Sequence, residues 1–289
     1  VAVVGLGAVG SVVAAALDGL VDLRVTVRHG GHRLPRVIGG PTGDHRVAAV
    51  TMADPATATV ADWVIIAVKA QDTRTTWPWL RRLVGPVTRV AVLQNGLDIG
   101  ERMPEWIPGE HVLPVSVYLS AVRDEAGDVR VQRLGPLVVP QGALGSEFAD
   151  LLGCRLDVHE TDRFEVESWR KFMLNLVSNS LGAPTDRTTG AVLCTPLRAT
   201  AAQMLDEAVT VARAVGVPLS DTDVAATIGS IAALPAHTVT SMQSDRRRGR
   251  PLERRFLSGT LVAMADRVGV PVPVTRAVDS LLVAIDRPE

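Results

Sequence analysis

The chain has 289 residues, 47% of them apolar and only 3% aromatic, and a formal net charge of −1. That length suits two ordinary domains with cores of Val, Leu and Ala. Near-neutrality excludes the basic footprint of a nucleic-acid binder or an anionic-membrane binder. No apolar run approaches the ~20 residues that span a bilayer, and no charged-then-apolar signal segment opens the chain. The two cysteines, Cys154 and Cys194, have neither metal-ligand nor C-x-x-C spacing. They are expected to be buried, reduced thiols of a cytoplasmic protein.

The first apolar run, residues 1–4, ends in Gly5-Leu6-Gly7-Ala8-Val9-Gly10, and an Ala/Val-rich helical pattern follows over 11–20. This is strand, glycine turn, helix, the arrangement that binds a dinucleotide. Gly5 allows the tight turn, Gly7 lets the backbone approach a pyrophosphate, and Gly10 lets helix and strand pack closely. The helix N-terminus then offers free N–H groups and a positive dipole end to the phosphates. A second strand over 23–27 leads into Arg28 and His29, with His32 and Arg33 nearby. An NAD site would want an acidic residue there for the ribose 2′-OH, whereas Arg28 would pair with a 2′-phosphate, so NADP(H) is the expected cofactor. The alternative is that Arg28 only ends the strand on the surface.

Residues 36–60 suit hairpins or irregular connections. Buried strands are expected over 61–68, running into Lys69, and over 89–93, running into Gln94-Asn95-Gly96. Between them, 73–83 reads as a helix broken early by Pro78. Ligands of doubly wound sheets bind beyond the carboxyl ends of the strands, which is where the glycine turn, Arg28, Lys69 and Asn95 all fall. Strands over 111–121 and 128–140, joined by a turn at 125–127, a helix over 145–152 and an edge strand over 155–159 complete the first half.

After about residue 163 no strand pattern stands out. The expected architecture is α/β, with a Rossmann-type dinucleotide-binding domain over 1–163 and an all-α substrate domain over 164–289. The helix over 167–179 carries Lys171, Asn175 and Asn179 four residues apart, hence on one face. Only two lysines, Lys69 and Lys171, stand against 28 arginines, and only three asparagines, Asn95, Asn175 and Asn179, occur. Three of these five residues share one helix face, which marks it as a functional stripe rather than an ordinary solvated one. Residues 186–190 read as a loop, and helices are expected over 196–215, 225–234, 235–244, about 251–268 and 275–285. The arginine cluster over 246–255 reads as a solvated turn.

Taken together, these motifs resemble the ketopantoate reductase (2-dehydropantoate 2-reductase) family over essentially the whole chain. The residues that carry the resemblance are the glycine turn, V-K-A at 68–70, Q-N-G at 94–96 and K-x-x-x-N-x-x-x-N at 171–179. S-M-x-x-D at 241–245 follows, with Glu253 eight residues later. The resemblance implies reduction of ketopantoate to (R)-pantoate in pantothenate biosynthesis, with hydride from NADPH and Lys171 as general acid. It also implies that Asn175, Asn179 and Ser241 bind the keto acid, that Asn95 lies between nicotinamide and substrate, and that Lys69 contacts the cofactor. Glu253 would stand close to Lys171, the substrate hydroxyl and the nicotinamide ribose. No metal is implied, and an Ala/Val-rich helical domain could bury a homodimer face.

Elementary chemistry agrees, because hydride delivery to a ketone builds negative charge on its oxygen, which an ammonium both stabilises and protonates. Burial would lower the lysine pKa and a nearby carboxylate would raise it, and the sequence does not say which wins. Glu253 could instead be a surface carboxylate paired with Arg254 or Arg255, and Ser241 could be a helix cap. The chain departs from the family pattern at Thr189-Gly190, where an Asn precedes the Gly, and at Arg254-Arg255 and Ser258-Gly259. A different 2-oxo acid is therefore the alternative substrate, and a non-catalytic NADP(H)-binding sensor the alternative function.

Overall fold

The computed structural model describes residues 1–27, 33–194, 196–235 and 237–286, with only the backbone of Cys154. It divides into two compact units: Val1–Asn95 with Ile99–Phe164, and Glu165–Glu289 with Gly96–Asp98.

The first unit opens with β1 (Ala2–Val4), α1 (Ala8–Leu17) and β2 (Arg24–Thr26), followed by a hairpin of β3 (Arg36–Gly40) and β4 (Gly43–Arg46). Then come β5 (Val50–Met52), β6 (Trp63–Ile66), α2 (Trp77–Leu83), β7 (Arg89–Val92) and α3 (Ile99–Arg102). The unit closes with β8 (Val112–Pro114), β9 (Ser116–Val117), β10 (Ser120–Arg123), β11 (Val129–Arg133), β12 (Leu137–Pro140), α4 (Ala143–Leu152) and β13 (Val158–Thr161).

β5-β2-β1-β6-β7-β8 form a six-stranded sheet in which every pairing is parallel. Its central strands β1 and β6 are apolar throughout because both faces are covered. Val3, Val25, Ile65 and Ala91 pack into one core with α1 and α4. Their neighbours Ala2, Val4, Val64, Ile66, Val90 and Val92 pack into a second core with Leu80, Leu83 and Ile99 of α2 and α3. The two sets alternate along each strand, as the pleat requires. A four-stranded sheet, β10-β11-β3-β4, also packs on α1. That helix is enclosed on all sides, which accounts for its unbroken Val/Ala composition: every residue from Gly10 to Leu17 is buried. A third sheet has the order β13-β12-β9.

Several expectations need correction. The strand expected over 111–121 is three strands, β8, β9 and β10, each in a different sheet. Their pairing partners, not their own residues, divide them. The strand over 128–140 is interrupted at Gly135-Pro136, since proline cannot donate to a ladder. Pro78 does not break a helix. It sits in the first turn of α2, where a missing N–H goes unnoticed, after a short 3₁₀ segment at Ala70–Thr76. The last edge strand starts at Val158 rather than at 155, because Arg155 is used elsewhere: its guanidinium donates to the Ala16 and Asp18 carbonyls at the end of α1, at 3.0 and 2.6 Å.

The helical unit contains α5 (Phe164–Thr185), α6 (Thr189–Leu193), α7 (Leu197–Ala214), α8 (Asp221–Ala232), α9 (Ser241–Arg247), α10 (Ser258–Val268) and α11 (Pro273–Ile285). No strand occurs among its described residues. Trp169, Phe172, Met173, Leu176 and Val177 of α5 share one core with Met204 and Leu205 of α7, Leu261 of α10 and Leu282 of α11. Among the described residues no helix is long and apolar enough to cross a membrane.

Here too the local reading needs amendment. Residues 186–190 are not all loop, since Thr189 begins α6. The helix expected over 235–244 starts only at Ser241. A 3₁₀ turn, Glu253–Phe256, precedes α10, with the break at Leu257. The arginine cluster is not simply solvated. Arg246 donates to the Ala183 and Pro184 carbonyls at the end of α5, at 2.5 and 3.1 Å, and Arg254 pairs with Asp286 at 3.3 Å. Cations at a helix C-terminus meet its negative dipole end. Asp186, just beyond α5, adopts φ 53° and accepts from Arg247 and Gln243. The Arg247 guanidinium and then the Gln243 amide hold its carboxyl below the usual range. Cys194 is an exposed free thiol, contrary to the expectation of burial, because it falls in the turn that ends α6.

Candidate functional site

In the first unit the glycine turn leaves β1, Lys69 follows β6 by a short step, and Asn95 follows β7. These three strands are neighbours in a parallel sheet, so the three features stand side by side at its carboxyl edge, with neighbouring strands ~4.8 Å apart. β2, on the other side of β1, points the same way, and Arg28, His29 and His32 beyond it lie outside the described residues. The chain turns to opposite faces of the sheet after β1, into α1, and after β6, into α2, which makes this edge the place where an α/β sheet binds a ligand.

The glycine turn has the shape that a pyrophosphate needs. Gly5 has φ +103°, and a Cβ there would lie 2.6–2.9 Å from Val68 and Ala67. A Cβ on Gly10 would strike the Gly5 carbonyl oxygen. At exposed Gly7 the nearest such atom is 3.8 Å away, so the space above it is open. Gly7 is the N-cap of α1 and provides no side chain, so the helix N-terminus stays uncovered by a cap. The turn is held from behind. Gly5 N–H donates to Thr26 Oγ1 at 3.1 Å, Ser11 Oγ to the Gly7 carbonyl at 2.6 Å, and Arg123 Nη1 to the Leu6 carbonyl at 2.8 Å. With those carbonyls engaged, the Ala8 and Val9 end of the helix is left to offer its N–H groups. The residues present therefore fit a dinucleotide. Sequence reasoning missed Thr26 and Arg123, because neither belongs to a local motif.

In the helical unit, Lys171 and Asn175 are half-buried and Asn179 is buried, so the polar line runs from the helix surface inward. Asn179 Oδ1 accepts from Ser241 Oγ at 3.2 Å and from Met242 N–H at 3.0 Å, while its Nδ2 donates to the Asn175 carbonyl at 3.1 Å. Asn179 thus joins the first turn of α9 to α5. Thr240 is the cap of α9, accepting from Gln243 N–H at 3.2 Å. Ser241 is therefore not the cap, and its exposed hydroxyl keeps its lone pairs for another donor. Glu253 is only 4% exposed, so it is not a surface carboxylate. Thr189 is 1% exposed, and its hydroxyl oxygen has no hydrogen-bond partner.

Replacing Asn179 by alanine leaves the Met242 N–H buried without its acceptor, which costs ~1–3 kcal/mol. Denaturant unfolding should show that loss, and an unchanged midpoint would mean that α9 does not depend on this amide.

Arg170, next to Lys171, donates to Asp223 of α8 at 2.8 Å and to Glu167 at 2.7 Å. Burial pushes the Asp223 carboxyl up, but Ser220 N–H, Arg170 and the Ser220 hydroxyl together hold it below its ordinary 3.8. A carboxyl depressed in the folded state stabilises fully above its unfolded pKa, and this stabilisation is lost as pH falls through the folded value. Asp223→Asn should therefore lower Tm near neutrality and make the fall in Tm below pH 3.8 shallower than in wild type. An equally steep acid limb would contradict this.

Two family descriptions match the chain: "Ketopantoate reductase PanE/ApbA" over residues 1–144 and "Ketopantoate reductase PanE/ApbA C terminal" over residues 163–286. The 2-dehydropantoate 2-reductase of Caulobacter vibrioides is 32% identical over 290 residues, covering 98% of this chain and 97% of that protein. Among solved structures, a PanE/ApbA family ketopantoate reductase from Ralstonia eutropha is 27% identical with a TM-score of 0.88, covering 99% of this chain and 98% of that one. The ketopantoate reductase of Staphylococcus aureus, described as dimeric, is 26% identical with a TM-score of 0.86, covering 98% and 97%. Both the strand-end features of the first unit and the Lys171 helix of the second fall inside the matched regions, and the chain belongs to the ketopantoate reductase family, a family of NADP-dependent oxidoreductases.

Proposed function

We propose that the protein reduces 2-dehydropantoate to (R)-pantoate for pantothenate biosynthesis, with NADPH as the hydride donor and Lys171 as the general acid. The observation that carries this reading is the line of Lys171, Asn175 and Asn179 along α5, with Asn179 fixed to Ser241 and Met242. Residues 1–163 are the NADP(H)-binding part and residues 164–289 the substrate part. The glycine turn, Gly5 through Gly10 with Leu6, Ala8 and Val9, receives the pyrophosphate. Arg28 pairs with the 2′-phosphate, Lys69 contacts the cofactor, and Asn95 lies between nicotinamide and keto acid.

When bound, the nicotinamide supplies a hydride to the carbonyl carbon of the substrate. The carbonyl π pair moves onto oxygen, where the Lys171 ammonium stabilises the growing charge and transfers a proton, leaving the 2-hydroxy acid. Lys171 regains its proton from solvent. Asn175 and Ser241 orient the acid by hydrogen bonds, and Asn179 contributes its remaining N–H while holding Ser241 in place. Glu253 acts beside Lys171 on the substrate hydroxyl and the nicotinamide ribose. The active species is a homodimer, a reading supported by the dimeric Staphylococcus aureus relative.

A second reading, reduction of another 2-oxo acid by the same steps, is favoured by Thr189. A threonine hydroxyl offers one donor where an amide has two donors and an acceptor, so it would suit a differently substituted acid. Steady-state kinetics over ketopantoate and a panel of 2-oxo acids, each with NADPH and NADH, tests both. Ketopantoate with NADPH is expected to give the highest kcat/KM, and Arg28→Ala is expected to weaken NADPH far more than NADH. Preference for another acid would move the substrate, and NADPH binding without any turnover would favour a sensor.

A further inference from the structure

Arg102, the last residue of α3, is 8% exposed and therefore places a guanidinium inside the first unit. Burying that charge is costly unless its N–H groups are received. Nη1 donates to the Asn95 carbonyl at 2.7 Å and to Gln94 Oε1 at 3.3 Å. Gln94, 7% exposed, continues the path: its Nε2 donates to the Val68 carbonyl at 3.1 Å and to Thr73 Oγ1 at 2.9 Å. The Thr73 hydroxyl, 2% exposed, donates in turn to the Ala70 carbonyl at 2.7 Å. Val68 and Ala70 flank Lys69. One buried set of hydrogen bonds thus clasps the backbone on both sides of Lys69 and the backbone of Asn95.

We propose that Arg102, Gln94 and Thr73 are positioning residues that set Lys69 and Asn95 relative to each other and so align the nicotinamide for hydride transfer. This rests on the reductase reading, in which Lys69 and Asn95 face the cofactor. The two strand ends belong to different connections, and the sheet itself fixes only where β6 and β7 stop. Beyond those points the backbone has no ladder to follow, and the side chains of Gln94 and Arg102 take over that task. Reaction rates are sensitive to such placement, since a misplacement of ~1 Å can cost about 10²-fold.

The test compares wild type with Arg102→Met, Arg102→Lys and Thr73→Val. Methionine is apolar and of comparable length, so it keeps the packing while it takes the donors away from the Asn95 carbonyl and Gln94 Oε1. Tm, KM, kcat and the primary deuterium isotope effect with 4-deuterated NADPH are measured for each. Arg102→Met is expected to lower kcat roughly 10- to 100-fold and to raise the isotope effect, as misalignment makes hydride transfer more fully rate-limiting. Thr73→Val should change both in the same direction by less, and Arg102→Lys should recover part of the loss. Should Arg102→Met fail to fold, Thr73→Val alone decides by the same isotope effect. A merely structural role predicts activity lost in proportion to the folded fraction with KM and isotope effect unchanged, and that result overturns the proposal while leaving the reductase reading intact. Should wild type bind NADPH but reduce no 2-oxo acid, the reductase reading fails and the NADPH Kd decides. About tenfold weaker binding by Arg102→Met supports the clasp, and equal binding overturns it. A wild type that binds no dinucleotide overturns both.

Discussion

Lys171→Ala is expected to lower kcat by ~10²–10⁴-fold, the range that a positioned general acid contributes, while the Kd for NADPH stays close to wild type. The reason is a division of labour along the chain. The glycine turn, Lys69 and Asn95 all lie in the first unit, whereas Lys171 lies on α5 of the second. In the proposed reaction, removing the ammonium from α5 takes away the group that would meet the forming alkoxide, without touching the glycine turn. Lys171 is half-buried on a helix whose other faces are locked into a core by Trp169, Phe172 and Met173, so truncation should leave the fold intact. Pre-steady-state mixing would separate the chemical step from product release. An unchanged rate of the chemical step would remove Lys171 from the reaction, and a loss confined to NADPH affinity would assign it to cofactor binding.

The second large effect is expected at the glycine turn, where two substitutions of equal size should behave differently. Gly10→Ala sets a methyl against the Gly5 carbonyl and 3.0 Å from the Ala67 methyl. Backbone must move, at a cost of ~1–3 kcal/mol for an overpacked position, and the turn loses its shape along with its ligand. Gly7→Ala meets nothing nearer than 3.8 Å, at an ordinary φ of −71°. Tm should therefore fall only by what alanine costs at an N-cap, ~1 kcal/mol or less, while the added methyl occupies the open space into which a pyrophosphate would come. NADPH affinity should fall tenfold or more, about 1.4 kcal/mol or greater. The pair distinguishes a glycine needed for packing from one needed for approach. Equal Tm loss in both variants would contradict the first part, and undiminished affinity in Gly7→Ala the second.

The parts of the molecule legible in the sequence are those governed by local rules. β1, the glycine turn and α1 follow from a short apolar run, three glycines and an Ala/Val pattern, and all three elements are present. β6 is a continuous apolar run, and β7 is one after Arg89, because helices cover both faces of their sheet. The face of α5 was legible because only five lysines and asparagines occur in the chain and three share that face.

What local rules could not supply are relationships over long separations. Residues 111–121 look like one strand, yet their segments join three sheets, because each pairs with a partner chosen elsewhere. Pro78 carries no mark that says whether it ends one helix or begins the next. Arg246 and Arg254 look like surface charge until the end of α5 and Asp286 are seen beside them. The same holds for the site. In the sequence Gln94 stands out only as part of a motif, and Arg102 and Thr73 not at all, although together they clasp the backbone around Lys69 and Asn95. Thr26 and Arg123 likewise act on the glycine turn from separations of 21 and 117 residues.

The proposed reaction delivers a hydride from a nicotinamide to the carbonyl carbon of a 2-oxo acid. The most direct measurement is transfer of deuterium from 4-deuterated NADPH to ketopantoate, followed by NMR of the product. Pantoate carrying deuterium at its C2 carbon, of R configuration, is expected to form in step with oxidation of the dinucleotide. Dinucleotide bound but never oxidised, with ketopantoate and the whole panel of 2-oxo acids returned unchanged, would contradict it.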